Sequence, residues 1–562
     1  MVASYKAVLQ TRMPAQFTAL RTPLRAENLT GDLGVLSARV NAPKENREKL
    51  HALMEEAVPN INLQEAVAVA KLEARGIKPD SESEIPEARS LADLHKRITA
   101  ACQMVNRPAP GTMAFATAGD YFALTPNTPR VGGEAWRDVQ VLMHSPEELL
   151  ETTQQGIALM KGDSEEGGLS TAAFGLPVAG EASRARKFAE AHQNLVERIK
   201  DLGGLEGLNE AKHELPPRFL YPIDTASGHR TLFGLMLRNF LSTSTSLGRV
   251  GLSINMFNTK SSELVMDRMR KEGFGSLSDN QLELLLGFVQ SSAPRMFLSD
   301  LAETNESFST GHGDYPNTLA IADMYNTLDA MGIKYFIFAN ADEFLWGADP
   351  TMIGVADRLI NMGYDGMVVV VPNSNNMQGG GTVRSLLKPS SSFRLVESMC
   401  LPANLSDGIT NPSAVNTTFY ILSTKALASA TTKFLTTAPG LDIKTVKERG
   451  DRTEQVGCLE TWAGTEFTKN LNCAFVMAPR AGYFLGIKSL EHTHSDNIPP
   501  ELKDFPNSNF ADWSYERLVK YLANTYPATI QKLIEGDEKV ADEIWRNGYS
   551  YLLDPSTTGV QG

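Results

Sequence analysis

The chain has 562 residues, 42% of them hydrophobic and 21% charged, and a formal charge of −13. That length exceeds one ordinary core and predicts two or three domains, and the composition excludes a fibrous or disordered protein. The acidic balance argues against general nucleic-acid binding, which needs a basic face to neutralise phosphates.

The elements follow in chain order. Residues 1–155 are expected to form a largely helical N-terminal region: ENREKLHALMEEAV and SLADLHKRITAACQMV carry apolar residues at helical spacing. From Gly156 short apolar runs alternate with amphipathic stretches. GIALM (156–160), VGLSINMF (250–257), PRMFL (294–298), KYFIFAN (334–340) and GMVVVV (366–371) are the expected strands. The segment 317–331 reads as one helix packing on the sheet ahead of KYFIFAN, with Leu319, Ile321, Met324, Leu328 and Met331 on one face. Asp349-Pro350 reads as an N-cap followed by Pro at the first helical position. Strand–helix alternation of this kind predicts an α/β domain over 156–495 with a mainly parallel sheet, whose ligand loops lie at the carboxyl ends of the strands. Residues 496–562 are expected to form a helical tail. The longest apolar run, Met367–Val371, is too short to span a bilayer, and the N-terminus lacks the apolar stretch of a signal peptide. The cysteines Cys102, Cys400, Cys458 and Cys473 form no CxxC pair and read as reduced thiols of a cytoplasmic protein.

Five patches carry candidate chemistry. GGLSTAAFG (167–175) offers small residues where backbone N–H groups could approach a phosphate or base. PPRFLYPID (216–224) places a cation, Arg218, before an apolar run. LSINMFNT (252–259) ends a strand on polar residues. FVQSSAPR, STGHGDYPN and FIFANADEFLWGAD (288–349) bring Gln290, Gly311, His312, Asn340 and Asp342. GGGTVR, RLVESMCLP, VNTTFYIL, GCLETWAG and GYFLGIKSL follow between 379 and 490. An acidic residue at the end of a buried strand is costly unless paired or bound to a cation, which singles out Asp342.

In this order the patches resemble those of the UTP–sugar-1-phosphate uridylyltransferase (UDP-sugar pyrophosphorylase) superfamily, whose patterns run GGLGTxMG, GPK, LMNSFNT, FNQSxYPR, PPGHGD, FVANSDN, GGTL, LLEIAQVP, FNTNN, QLETAVG and RFLPVKTT. The resemblance covers about 156–490, with an insertion near 180–214, and implies a GT-A-like (Rossmann-like) α/β nucleotidyltransferase domain. It implies that a sugar 1-phosphate attacks the α-phosphorus of a nucleoside triphosphate, with UTP favoured, and that pyrophosphate leaves. By position it implies Arg218 and Lys488 as phosphate-holding catalytic cations and Asp342 as the Mg²⁺ ligand. It puts Gly167, Gly168, Leu169, Asn255, Gln290 and Gly311 at the nucleotide. His312, Asn340, Gly381, Glu397, Asn416 and Glu460 fall at the sugar phosphate.

The chain also departs from these patterns. Ser170 replaces a loop glycine, Arg218 replaces a lysine, and Thr418-Phe419 replaces the Asn-Asn that faces sugar hydroxyls. Residues 496–562 lack the Ile/Val-rich repeats of the family's C-terminal β-helix. Two other readings fit the same residues: a non-catalytic nucleotide- or sugar-binding relative, and a GT-A glycosyltransferase, although NADE offers no DxD metal motif. His492 and His494 alone make a weak zinc signal.

Overall fold

The structure is a computed structural model. It describes residues 145–163, 167–179, 349–372, 414–435 and 528–547, most of 228–340 and of 440–477, and short strands at 18–19, 121–123, 136–138, 222–225, 381–385 and 394–396. The N-terminal helical stretches expected before residue 105 lie outside the described residues, as does the segment 180–214.

A nine-stranded mixed sheet organises the molecule. In chain order its strands are β1 (Thr18–Ala19), β2 (Trp136–Asp138), β3 (Leu169–Val178), β4 (Val250–Phe257), β5 (Leu285–Val289), β6 (Tyr335–Phe338), β7 (Gly366–Pro372), β8 (Ala414–Ser423) and β9 (Cys473–Met477). Across the sheet they run β1-β5-β4-β3-β6-β8-β7-β9-β2. Strands β5, β4, β3 and β6 are mutually parallel, as are β7, β9 and β2. Strand β8 runs antiparallel between the two sets. This is the mixed, mainly parallel α/β sheet expected from the strand–helix alternation. Its central strands are sealed on both faces; every residue of β3 is buried, which explains its nearly continuous apolar sequence.

The helices are α1 (Pro146–Lys161), α2 (Leu232–Ser246), α3 (Asp314–Ile321), α4 (Met324–Ala330), α5 (Pro350–Asn361), α6 (Thr424–Ser429), α7 (Ala463–Asn470) and α8 (Glu538–Asn547). Among the described residues no helix is long and apolar enough to cross a membrane. Helix α5 starts as its sequence predicts: Asp349 accepts a hydrogen bond from Thr351 N at 2.9 Å, and Pro350 occupies the first turn. The tail helix α8 packs on α1.

Two expectations are corrected. GIALM is the last turns of α1, not a strand. Ser145 caps that helix by accepting from Glu148 N, and Leu149, Thr152, Thr153, Gly156, Ile157 and Met160 are buried at helical spacing. A five-residue apolar run seen alone hides that period. The segment 317–331 is two helices, broken where Asp323 takes a left-handed backbone (φ 57°). Asp tolerates that conformation better than most residues, and its side chain accepts from Asn326 Nδ2 at 2.6 Å. The apolar face survives the break, because Leu319, Met324 and Leu328 are fully buried.

Three smaller sheets flank the large one. Glu303–Ser309, Ser292–Phe297, Arg452–Glu460 and Gly440–Arg449 form an antiparallel four-stranded sheet, Tyr121–Ala123, Gly381–Ser385 and Arg394–Val396 form a second, and Pro222–Thr225 pairs with Gly228–Thr231. The second sheet is tied to α7 by Leu395 N donating to Thr468 Oγ1 at 2.9 Å.

Candidate active site

Parallel strands put their carboxyl ends along one edge, and the residues just past those ends form a row. Rungs Val178–Phe257 and Phe257–Val289 set Ala179, Asn258 and Gln290 level with one another. Side chains fasten the row: Asn258 Nδ2 donates to Ser309 Oγ at 3.2 Å and to Ala179 O at 3.4 Å. On the other side of β3, β6 ends at Phe338. Past its last rung, Phe338–Tyr420, the same register sets Asn340 level with Thr418. Strand β8 is antiparallel, so its starting residues Asn416–Thr418 reach the edge where the parallel strands finish.

The Gly311–Gly313 loop closes over this edge and is sewn to the segment that follows the strand Arg452–Glu460. Thr461 N and Thr461 Oγ1 both donate to Thr310 O, at 2.8 and 3.0 Å, and Gly313 N donates to Thr461 O at 2.9 Å. Ala463 N donates to His312 Nδ1 at 3.0 Å. Gly311 has a left-handed φ of 89°, and a Cβ there would lie 2.3 Å from Thr461 O. Only glycine satisfies both the conformation and the contact. The Ala463 bond has a chemical consequence: a ring nitrogen that accepts carries no proton, so the proton of neutral His312 sits on Nε2. Asp314 opens α3 fully buried, with its carboxyl at the positive end of the helix.

Gln290 is 3% exposed. Its Nε2 donates to Gly311 O, whereas Oε1 has no hydrogen-bond partner among the described residues. A buried acceptor without a partner costs about 1–3 kcal/mol, an arrangement suited to an arriving N–H donor. Beneath the edge the floor is aromatic. Tyr315 packs at 4.9 Å from the Phe338 ring centre and 5.3 Å from that of Phe288, and Phe338 stacks on Tyr420. Burial pushes the Tyr315 phenol well up, so it stays protonated and donates to Ile254 O at 2.7 Å.

The structure therefore gathers Gln290, Gly311, His312, Asn340, Asn416 and Glu460 around one edge. Gly381 begins a strand whose partner there is Val396, the residue before Glu397. Gly167, Gly168 and Leu169 are not in this group. They lie at the amino end of β3, where Gly167 N donates to Gly248 O and Val250 N to Gly168 O. A ten-residue strand spans roughly 30 Å, so this turn sits at the far edge of the sheet from the row. The reason lies in GIALM: it ends helix α1, so Leu169–Val178 is itself the strand and Gly167–Leu169 lead into it. Asn255 sits inside β4, with Nδ2 donating to Ser253 Oγ and Leu286 O, and it is fully buried. Asn258 is the residue that occupies the strand end. Its signal was the end of the apolar run at Phe257. Arg218, Asp342, Glu397 and Lys488 lie outside the described residues.

Among the described residues no group of three or more His, Cys, Asp or Glu side chains could hold a metal. Magnesium bound chiefly through phosphate oxygens and water needs only one or two carboxylates. The neutral row of Asn258, Gln290 and Asn340 supplies none, and Asp342, the expected Mg²⁺ ligand, lies outside the described residues.

Solved structures share this architecture. A uridine diphosphate N-acetylglucosamine pyrophosphorylase from Trypanosoma brucei superposes with a TM-score of 0.51 at 13% identity, over 92% of this chain and 93% of its own. The fold is that of the UDP-sugar pyrophosphorylases. A variant UDP-glucose pyrophosphorylase from Leishmania major aligns at a TM-score of 0.47 and 13% identity, over 78% of this chain and 80% of its own. No family model and no curated protein matches the sequence. In the UDP-sugar pyrophosphorylase fold of this chain, the strand-end row and the 310–313 loop occupy the edge where α/β sheets bind ligands.

Proposed function

We propose that this chain is a nucleotidyltransferase that joins a nucleoside triphosphate, UTP favoured, to a sugar 1-phosphate and releases pyrophosphate. Gln290 carries the reading. Its amide is held by Gly311 O through Nε2, and the buried Oε1 is left as an acceptor without a partner among the described residues, which suits the N3–H of uracil. The other residues position and neutralise. His312 offers Nε2–H to a phosphate or sugar oxygen, and Arg218 and Lys488 hold the triphosphate and the sugar phosphate. The attacking phosphate oxygen is already anionic, so no general base is required, and rate comes from alignment and charge stabilisation. Mg²⁺, held by Asp342, supplies charge neutralisation when bound.

The deciding experiment is pyrophosphate release across a matrix of nucleoside triphosphates and sugar 1-phosphates with Mg²⁺. Release with UTP, abolished in Asp342→Ala while its unfolding curve stays cooperative, is the expected result. Full activity in Asp342→Ala removes that residue from the site. UDP binding without turnover of any pair makes the chain a binding relative instead.

A further inference from the structure

The opposite edge of the sheet, where β6, β7 and β9 begin and β8 ends, carries a cavity of about 380 Å³. Ser423 lines it and closes β8 seven residues after Asn416, roughly 20 Å away along an extended strand. The cavity is therefore separate from the ligand row. Its walls are the end of α5, helix α6, the 3₁₀ turn Thr431–Leu435 and the end of α7. Backbone bonds fix its floor. Asp365 N donates to Asn472 O and Ser423 N donates to Asp365 O, both at 2.8 Å, and Asp365 Oδ2 accepts Asn472 N–H at 2.8 Å. A lining held in this way is formed before a ligand arrives, which lowers the cost of binding.

Charge sets the class of ligand. Lys425 and Lys433 both line the cavity against one carboxylate, Asp365, in a chain whose formal charge is −13. Both lysines are exposed. Lys433 Nζ reaches Asn470 O at 3.5 Å, the long limit of a hydrogen bond, so a phosphate oxygen at ordinary distance can replace that contact at little cost. The Asp365 carboxylate already serves Asn472 N–H. Volume sets the size of the ligand. At about 30 Å³ per water the cavity holds about a dozen waters, so inorganic phosphate fills only a fraction of it. Ile360 and Leu471 add apolar wall for a carbon skeleton. We propose that this cavity is a binding site for a phosphorylated small molecule of sugar size, with Lys425 and Lys433 holding its phosphate. The site goes beyond the nucleotidyltransferase reading and stands whether or not the ligand edge takes a nucleotide.

Titration calorimetry with glucose 6-phosphate, ribose 5-phosphate, inorganic phosphate and glucose, each with and without UDP, tests it. At least one phosphate ester is expected to bind more tightly than inorganic phosphate, with UDP making no difference and glucose giving no signal. Lys425→Gln and Lys433→Gln are each expected to weaken that ester about fivefold, the upper value of one exposed ion pair. Lys539→Gln, at an exposed lysine of α8, is expected to leave it unchanged. Failure of both esters to bind overturns the proposal, as does equal affinity for ester and inorganic phosphate. Ester affinity unchanged in both cavity variants overturns it too, and so does equal weakening by Lys539→Gln, which marks a general effect of charge. Displacement of the ester by UDP puts it at the ligand edge and overturns the separate site.

Discussion

Replacing Gly311 by alanine tests how the loop over the ligand edge is held. Two penalties combine at this position. The first is conformational: a φ of 89° costs an L-residue about 1–2 kcal/mol relative to glycine. The second is steric: the new Cβ would lie 2.3 Å from Thr461 O and 2.9 Å from Thr461 N, both backbone atoms that cannot swing away. Overpacking of that kind costs about 1–3 kcal/mol. The sum is roughly 2–5 kcal/mol, a large share of the roughly 5–15 kcal/mol that stabilises a domain. Gly332→Ala supplies the control, since its φ is 81° and nothing lies within 4 Å of its Cβ. That variant therefore carries the conformational cost alone. Urea unfolding of the two variants beside wild type measures both, and the steric share is their difference. UDP binding reports the loop itself, because Gly311 O orients the Gln290 amide. If Gly311→Ala is no less stable than Gly332→Ala and binds UDP normally, the loop is not clamped to Thr461 as described.

Two further outcomes follow from the local chemistry. Asp349→Ala removes the cap of α5 and is expected to cost about 1 kcal/mol, seen as a lower thermal midpoint, while Asp349→Ser restores most of it. The Tyr335 phenol, raised by burial and by its hydrogen bond to Asp357, keeps its proton in the fold at a pH where the unfolded chain loses it. The unfolded state binds fewer protons above its phenol pKa of about 10, so this contribution is complete below that pH and declines above it. Tyr335→Phe is expected to flatten the alkaline fall in stability between pH 9.5 and 11 (approximate bounds set by that unfolded pKa), measured by urea midpoints; an unchanged slope contradicts the assignment. Asp357 keeps Gln155 and Asn361 as partners in that variant.

Much of the architecture was legible in the chain. The runs 250–257, 334–340 and 366–371 announced strands because buried parallel strands must be apolar on both faces. Asp349-Pro350 announced a helix start because those residues satisfy or lack the N–H groups that a first turn leaves open. Gln290, His312 and Asn340 were locatable because each follows an apolar run or sits between glycines. GIALM was not legible, because five apolar residues fit a strand as well as a helix turn and only the cap at Ser145 and the burial pattern of the whole helix separate them.

That single ambiguity leaves open which edge of the sheet the 167–168 turn occupies, since a strand has two ends and composition does not say which one faces a ligand. Direction comes from pairing with β4 and β6, a tertiary fact. The same holds for Asn416, whose amide bonds Tyr420 Oη and Thr418 N. The resemblance to the family pattern implies Asn416 at the sugar, and its amide offers both a donor and an acceptor. Which of its atoms remain available depends on Tyr420 and Gly464, the latter brought beside it from another element. The chain order determined the class of fold and most of the residues at its edge; the packing decided which of their polar atoms remain for a ligand, because hydrogen bonds within the protein consume the others first.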